Sequence, residues 1–585
     1  MTRLARSFAL NLLFAVALPL AAHARDPVQV RLIGINDFHG RLENMYLFLS
    51  LADPTAAEGA PRLNVAVGGA AALAGTVAKL REGAPHSLFV AGGDLIGAAP
   101  LVSSLFHHES TVEVLNRMGL SASTLGNHEF DNGVAELKRM IRGGCAAMKP
   151  ESPVTSCAQG QYGGARFSYI ASNVVDAKGR HLVAPYVIRR FEGIPVGIIG
   201  AVTRTTPQMV TPSGIRGLTF QDEAEATNRA ARALRAKGVK AMIATFHEGF
   251  ELGTAEKRGD WNDTTCPEAH GPLLDIAHRL DPDIRIIFSG HTHQGYRCEI
   301  EGRLIIQATS YGRGVSVVDA ELDPRTRTIA AVRSINLPVL GERTSAAHRE
   351  KLAATTPEPF AVVVRDARPD AAVAQTVERY AKLAQPQAER AVGRVTGTFK
   401  RGGSVDSAAG RLIADAQLAA TRSLDARVAF MNPGGIRADI DCATPPCTVT
   451  FGQAFTMQPF GNSLVVMTFT GAQLKALLES QQKRASDEPK FLQPSEGFAY
   501  TWQSDAAPGE RVRDMRLEGE AIDPVKNYRV TVNSFLAEGG DGFEILKEGR
   551  DRKGGGEDID ALIAYLGAAQ RSPIPTPRIT KPGKE

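Results

Sequence analysis

The sequence predicts an α/β protein of two domains, and three observations predict it. At 585 residues the chain is too long for a single ordinary hydrophobic core. Its first half repeats one unit, an apolar run of strand length closed by a cluster of Asp, His or Asn and followed by a Gly-rich turn and a helix-like stretch. Its second half drops that unit for a mixture of strands and helices around Gly-rich loops. The composition is that of a folded chain: 43% of residues are hydrophobic, 22% are charged, and the 57 glycines and 33 prolines follow no three-residue period, which excludes disorder and collagen. A formal net charge of +4, without a block of five or six like charges, gives no basic surface for nucleic acid, and none is expected as a partner.

Taken in order, the first segment reads as an address label. Arg3 and Arg6 precede the apolar run Phe8 to Ala22, and the small residues Ala22 and Ala24 stand where a signal peptidase inspects the chain. Asn11 and Pro19 interrupt the run, which is short for the roughly 20 apolar residues of a spanning helix. Residues 1–24 are read as a signal peptide cleaved near Ala24, and the mature protein as periplasmic or secreted. No cysteine at the cleavage point and a polar end from Pro575 to Glu585 leave no stable membrane anchor expected. The six cysteines are an even count suited to an oxidising compartment. Cys145 with Cys157 and Cys442 with Cys447 share Gly/Pro-rich loops, which leaves Cys266 with Cys298.

Five strand-to-cluster junctions carry the chemistry. Val28 to Ile35 ends in Asn36-Asp37-Phe38-His39-Gly40, Leu88 to Ala91 in Gly92-Gly93-Asp94, and Ser121 to Leu125 in Gly126-Asn127-His128-Glu129-Phe130-Asp131. Met242 to Phe246 ends in His247-Glu248-Gly249, and Ile284 to Phe288 runs through Ser289-Gly290 to His291-Thr292-His293. In α/β sheets ligands gather beyond the carboxyl ends of the strands, so clusters far apart in sequence can meet on one rim. Singly, an Asp-x-His pair is an ordinary loop device. Jointly, five of the 13 histidines fall at these junctions with Asp37, Asp94 and Asn127. Imidazole, carboxylate and amide donors without thiolate suit zinc, manganese, cobalt or iron(II). Two such ions, held about 3.5–4 Å apart by a shared carboxylate, clamp an in-line displacement, and Asp94 is the candidate bridge.

Beyond Pro357, Pro359 and Pro369, Ala371 to Arg390 has helical spacing and reads as a linker helix. From Val392 onward the expected elements include helices at Arg411 to Arg422 and Gly471 to Gln482 and strands at Val428 to Met431, Leu464 to Thr470 and Tyr528 to Asn533. Three loops stand out: Asn432 to Arg437, Gln458 to Asn462 and Asn533 to Phe543. Glycine lets a ligand approach the backbone, arginine grips phosphate, and two aromatics can sandwich a flat heterocycle.

The motifs DFH, GGD, GNHEFD, a strand-end His and GHTH, over roughly residues 28 to 340, resemble those of the calcineurin-like metallophosphoesterases. The second half resembles the C-terminal domain of secreted 5'-nucleotidases and bacterial UDP-sugar hydrolases. The resemblance implies a four-layer α/β/β/α domain joined by a linker helix to a smaller mixed α+β domain. The corresponding divisions are 1–24 for the signal peptide, 25–345 for the phosphoesterase domain, 346–390 for the linker, 391–570 for the nucleotide-binding domain and 571–585 for a polar tail. It implies two divalent ions of the zinc, manganese or cobalt class, one on Asp37, His39, Asp94 and His293, the other on Asp94, Asn127, His247 and His291. It implies that His128 meets the phosphoryl oxygens or the leaving group, with Asp131 orienting its ring. In the second domain it implies Phe460 and Phe535 stacking a base, Asn432 contacting it, Arg437 near phosphate or ribose, and Asp541 on the ribose hydroxyls. One position departs: Val405 stands where many relatives carry arginine, and Arg401 and Arg411 are the nearby candidates to replace it.

The expected function is removal of the 5'-phosphate from nucleoside monophosphates by water. Rivals with the same chemistry are a nucleotide-sugar or dinucleotide pyrophosphatase, a 2',3'-cyclic-nucleotide phosphodiesterase with 3'-nucleotidase activity, and a thiosulfate-ester hydrolase. A nucleotide binder without turnover is the alternative outside enzymology, disfavoured by the complete set of motif residues.

Overall fold

The computed structural model describes residues 26–43, 47–51, 62–147, 155–252, 260–482 and 488–581. The expected signal peptide lies outside the described residues. Among these residues, no helix is long and apolar enough to cross a membrane.

Strand Val28–Ile35 shows how the first domain is built. Alternate residues point to opposite faces. Val30 and Leu32 enter a core shared with Ile198, Ile243, Ile286 and Ile306 of a second sheet. Ile33 and Ile35 face the other way, onto Leu73, Val77 and Leu80 of helix Ala70–Arg81. Its neighbour Ser87–Ala91 divides in the same way, with Leu88 and Val90 between the sheets and Phe89 and Ala91 under the helices. Strands buried on both faces need continuous apolar runs, which is how they read in the sequence.

The first sheet runs in the order Ile329–Pro338, Gly314–Leu322, Val28–Ile35, Ser87–Ala91, Ala122–Thr124, Ser168–Ile170. The second runs Gly295–Ile300, Arg303–Ala308, Ile284–Phe288, Ala241–His247, Ile194–Val202, Tyr186–Phe191. Helices Ala70–Arg81, Glu109–Arg117 and Gly133–Arg142 cover the first sheet, and Glu223–Ala236 and Pro272–Arg279 cover the second. The layers are α/β/β/α, as expected. The two strands that close the first sheet come from beyond the second sheet, so residues 314–338 staple the domain shut.

The linker holds more helix than its prolines led one to expect. Ala346–Thr355 and Phe360–Asp366 precede helix Ala371–Ala388, which Asp370 caps by accepting from the Val373 N–H. The long helix buries Val373, Val377, Tyr380 and Ala384 in an apolar cluster that runs from Leu73 and Phe106 of the first domain to Leu412, Phe451 and Leu562 of the second. The Tyr380 hydroxyl donates to Glu113 at 2.9 Å.

The second domain centres on a five-stranded sheet, Gln493–Pro494, Val428–Met431, Asn527–Asn533, Ser463–Thr470, Arg550–Glu557, and a four-stranded sheet that includes Phe498–Trp502. Helix Ala408–Thr421 starts where Ser407 accepts from the Gly410 N–H, and Gly471–Glu479 starts at a capping box of Thr470 and Gln473. The reading of residues 571–585 as a polar tail is corrected through Lys581. Ile579–Thr580 adds a parallel strand beside Phe498–Trp502, with Ile579 buried, and Arg578 makes a bidentate pair with Asp415 at 2.6 and 2.8 Å. Short apolar spots among polar residues hide such a strand, because its partner lies 79 residues away in sequence. All three disulfides pair as expected: Cys145–Cys157, Cys266–Cys298 and Cys442–Cys447.

Candidate active site

Val28–Ile35, Ser87–Ala91 and Ala122–Thr124 are parallel to one another, as are Ala241–His247 and Ile284–Phe288. Their carboxyl ends open on one edge of the sandwich, and the five junctions meet there. The turns after the strands are tight. Asp37, His39, Asp94, His291 and His293 all adopt left-handed backbone, with φ of 47°, 47°, 49°, 71° and 57°. Each costs about 1 kcal/mol or more, strain of the kind that collects at functional sites. Hydrogen bonds between neighbouring turns hold it, from Asp37 N to Gly93 O and from His39 N to Asp94 O, both 3.0 Å. Two glycines permit the approach: a Cβ on Gly126 would lie 2.1 Å from Asp94 Oδ1, and one on Gly93 would lie 2.7 Å from His247 Nδ1.

The seven candidate ligands converge. His293 Nε2 is 3.2 Å from Asp37 Oδ1, His39 Nε2 is 3.6 Å from Asp94 Oδ2, and His247 Nε2 is 3.0 Å from both Asp94 Oδ2 and Asn127 Oδ1. Three groups place their donor atoms within 4.8 Å of one another: Asp37, His39 and His293; His39, Asp94 and His128; Asp37, Asp94 and His247. Asp37, His39 and Asp94 each fall in two of them. The His291 ring lies 5.1 Å from that of His247, and the His291 N–H donates to both Asp37 oxygens at 3.1 Å.

The donor set fits cations. His39 Nδ1 donates to the Gly97 carbonyl at 2.9 Å and His247 Nδ1 to that of Gly92 at 2.8 Å. Each bond occupies Nδ1 and turns Nε2 into the site, where the neutral ring offers a lone pair to a cation. The buried His39 Nε2 has no hydrogen-bond partner. His247 Nε2 faces two oxygens that are themselves acceptors, so positive charge must sit among them. The proton affinities agree. Burial opposes charge on His247, yet Asp94 and Asp37 push it up to about 10. Burial and the neighbouring His247 push His291 down to about 3. Burial also pulls His39 well below its ordinary range against the attraction of Asp94.

His128 stands on the rim, its Nδ1 bonded to Asp131 at 2.9 Å and its backbone N–H donating to Asp94 Oδ1 at 2.9 Å. Burial disfavours its charged form, but Asp131 and Asp94 raise its pKa above the ordinary value. Its Nε2 is left to face a cavity of about 360 Å³ that both domains line. Asp94, Asn127, Asp131, His291 and His293 border it from the first domain, and Asn432, Arg437, Phe460, Phe535 and Asp541 from the second. The Phe460 ring stacks on that of His128 at 5.8 Å, with the Arg437 guanidinium 6.0 Å from the Phe460 ring. Asn432 donates to Asp541 Oδ2 at 2.7 Å and accepts from Asn533 at 3.0 Å.

All fourteen residues singled out in the sequence therefore border or adjoin one space, but the substitutes for Val405 divide. Arg411 is held away, its guanidinium paired with buried Asp406 at 3.0 Å and bonded to the Ile574 carbonyl at 2.6 Å. Arg401 lies beside the site and donates to the Ile436 and Arg437 carbonyls at 3.4 and 2.9 Å. Sequence reasoning passed over Glu129, whose carboxylate accepts the N–H groups of Asp94, Leu95 and Gly126 at 2.9, 2.8 and 2.6 Å. An acid inside GNHEFD was the available signal. Tyr311 was also missed. Its N–H donates to Asp37 O at 2.7 Å, and its ring lies 5.7 Å from His39 and 5.2 Å from His293.

The comparisons with known proteins point the same way. Residues 30–295 match the model of the calcineurin-like phosphoesterases, and residues 389–548 that of the 5'-nucleotidase C-terminal domain. A cell wall protein of Listeria monocytogenes is 30% identical over 572 residues, covering 93% of this chain and 68% of its own length. An endonuclease of Bacillus subtilis is 31% identical over 93% of this chain, which spans only 40% of that protein. Among solved structures, a 5'-nucleotidase precursor from Thermus thermophilus superposes with a TM-score of 0.72 at 26% identity, covering 95% of this chain and 100% of that one. Fold and site define a metal-dependent phosphoester hydrolase. More narrowly, the chain belongs to the 5'-nucleotidase family, with a calcineurin-like phosphoesterase domain ahead of a 5'-nucleotidase C-terminal domain.

Proposed function

We propose that this protein is an exported dinuclear-metal phosphohydrolase that removes the 5'-phosphate from nucleoside monophosphates. The observation that carries the reading is the single cavity in which His128 and the Asp94 cluster face Phe460, Phe535, Asn432 and Asp541, chemistry on one wall and nucleoside-type contacts on the other. Its likeness to the Thermus thermophilus protein, named a 5'-nucleotidase precursor, supports the substrate class.

Asp37, His39, Asp94 and His293 would hold one divalent ion, and Asp94, Asn127, His247 and His291 the other. Bound there, two divalent cations supply charge neutralisation for a phosphoryl group and bring the pKa of a water toward neutrality. The residues do the rest. The Asp131 carboxylate orients the His128 ring and favours its protonated form, in which Nε2–H can donate to an oxygen whose negative charge grows as the P–O bond to ribose breaks. Arg437, with Arg401 behind it, offers a guanidinium to phosphate oxygens. Phe460 and Phe535 take the base, and Asp541, held by Asn432, takes the ribose hydroxyls. Residues 25–345 would carry the metals and 391–570 the nucleoside, with residues 1–24 removed on export.

The test is phosphate release by the mature protein, supplied with manganese, zinc or cobalt, from AMP, UDP-glucose and 2',3'-cyclic AMP, beside His128→Ala. Turnover of AMP that drops at least a hundredfold in the variant is expected. Turnover confined to UDP-glucose or to the cyclic nucleotide would refute the substrate assignment and leave the metal chemistry in place.

A further inference from the structure

We propose that the segment Thr206–Ile215 of the phosphoesterase domain is a third wall of the nucleoside site, and that Met209 and Thr211 help to select the leaving nucleoside. The inference rests on the nucleotidase reading above and goes beyond it, because it places part of the substrate selection in the metal-bearing domain.

The segment leaves strand Ile194–Val202, which lies beside Ala241–His247, and so emerges at the same edge as His247. That strand supplies no candidate ligand and leads instead into two short turns, Thr206–Gln208 and Pro212–Ile215. They are firmly set. Thr203 N donates to the His247 carbonyl at 3.0 Å, and the Thr206 hydroxyl donates to the Thr203 carbonyl at 2.7 Å. Val210 and Ile215 are buried in the core that also holds Phe130. Gly214 lies against Gly133, the first residue of the helix after His128 and Asp131, so closely that a Cβ on Gly214 would be 3.1 Å from Gly133 Cα. The segment is therefore locked to the chain that carries His247 and to the chain that carries His128.

Its other side faces the second domain. Met209, Val210 and Thr211 border the same cavity as Phe460, Phe535 and Asp541. The turn Thr206–Gln208 lies against Gly540–Gly542, and the Ser213 N–H donates to Glu538 Oε2 at 3.3 Å across the two domains. Met209 and Thr211 are half-buried, set between a fixed support and an open space. A thioether adapts to the face or edge of a flat ring, and the Thr211 hydroxyl, without a hydrogen-bond partner among the described residues, can donate to or accept from a polar edge. A small phosphate ester would react without reaching this wall, whereas a nucleotide would fill the cavity up to it.

The experiment compares wild type with Met209→Ala, Thr211→Ala and the double variant. It measures kcat and KM for the best nucleotide among AMP, UDP-glucose and 2',3'-cyclic AMP, and for p-nitrophenyl phosphate, which has no nucleoside. Both side chains are half-buried, so the variants keep the Val210 and Ile215 anchors, and an unchanged Tm checks this. The expected result is a fall of at least fivefold in the ratio of kcat/KM for the nucleotide to that for the aryl phosphate, carried by KM, with Met209→Leu recovering most of it. A smaller fall, whether both substrates weaken together or neither does, overturns the inference while the nucleotidase reading stands. Wild-type turnover of the aryl phosphate alone overturns both.

Discussion

Glu129 and Asp558 are both buried acids, and the difference between them is one of partners. Glu129 receives four backbone N–H groups, from Asp94, Leu95, Ile96 and Gly126, and so knits the Asp94 turn to the Gly126 turn. Replacing it with Gln sets an amide donor against those donors and should cost about 2–3 kcal/mol. Glu129→Gln is expected to lower Tm and to lower bound metal together, read by thermal unfolding and by metal analysis of the same preparation. Asp558 opens helix Asp558–Ala568, and its Oδ1 lacks a partner. Burial pushes its carboxyl up to about 7, against the pull of a hydrogen bond from Asn462. The folded state therefore binds this proton more tightly than the unfolded chain does. Its contribution to stability is full below about pH 4 and is lost as pH rises to about 7. Asp558→Asn should leave Tm unchanged near pH 4 and raise it at pH 8, by on the order of 2–4 kcal/mol of stability. An equal effect at both pH values would contradict this account.

Among the elements, the linker helix is the one whose packing most constrains the molecule. Where the chain enters it, the Arg368 carbonyl presses on helix Ala70–Arg81 at Gly75, so closely that a Cβ there would lie 1.7 Å from that oxygen. No rotamer relieves a clash between a Cβ and a backbone carbonyl, so the helices must separate. Overpacking of this kind costs about 1–3 kcal/mol. Gly75→Ala, which would gain stability in an isolated helix, is expected instead to lower the unfolding midpoint in urea by that amount. The sequence marked the linker helix by its spacing, and the observed helix ends at Ala388, within two residues of the expected Arg390. It did not mark Ala346–Thr355 and Phe360–Asp366, because the prolines between them read as breaks, whereas here they separate short helices that pack on each other.

For the whole molecule, the proposed metal site predicts a link between metal and stability. Ions that bind only the folded state stabilise it by mass action, about 2.7 kcal/mol at a hundred times Kd. Chelation is expected to lower Tm and added manganese or zinc to restore it, and Asp94→Asn should abolish the response, since Asp94 enters two of the three donor groups. A Tm indifferent to metal in the wild type would count against cation binding at this site.

The strands and the candidate ligands were legible because both are local: an apolar run ends, and the side chains just beyond it are chemical. Parallel strands then bring such ends together whatever their order, which is why Asp37 and His293 could be named as neighbours across more than half of the first domain. Segments that join through space alone were not legible. Only the tertiary structure decided that Arg411 is neutralised by Asp406, that Tyr311 touches Asp37, His39 and His293, that residues 571–581 complete a sheet, and that Met209 and Thr211 share a cavity with Phe460, Phe535 and Asp541. Periodicity and motif report what a residue is beside in the chain. Pairing, burial and the sharing of one cavity depend on contacts between distant segments, and those exist only once the chain has closed on itself.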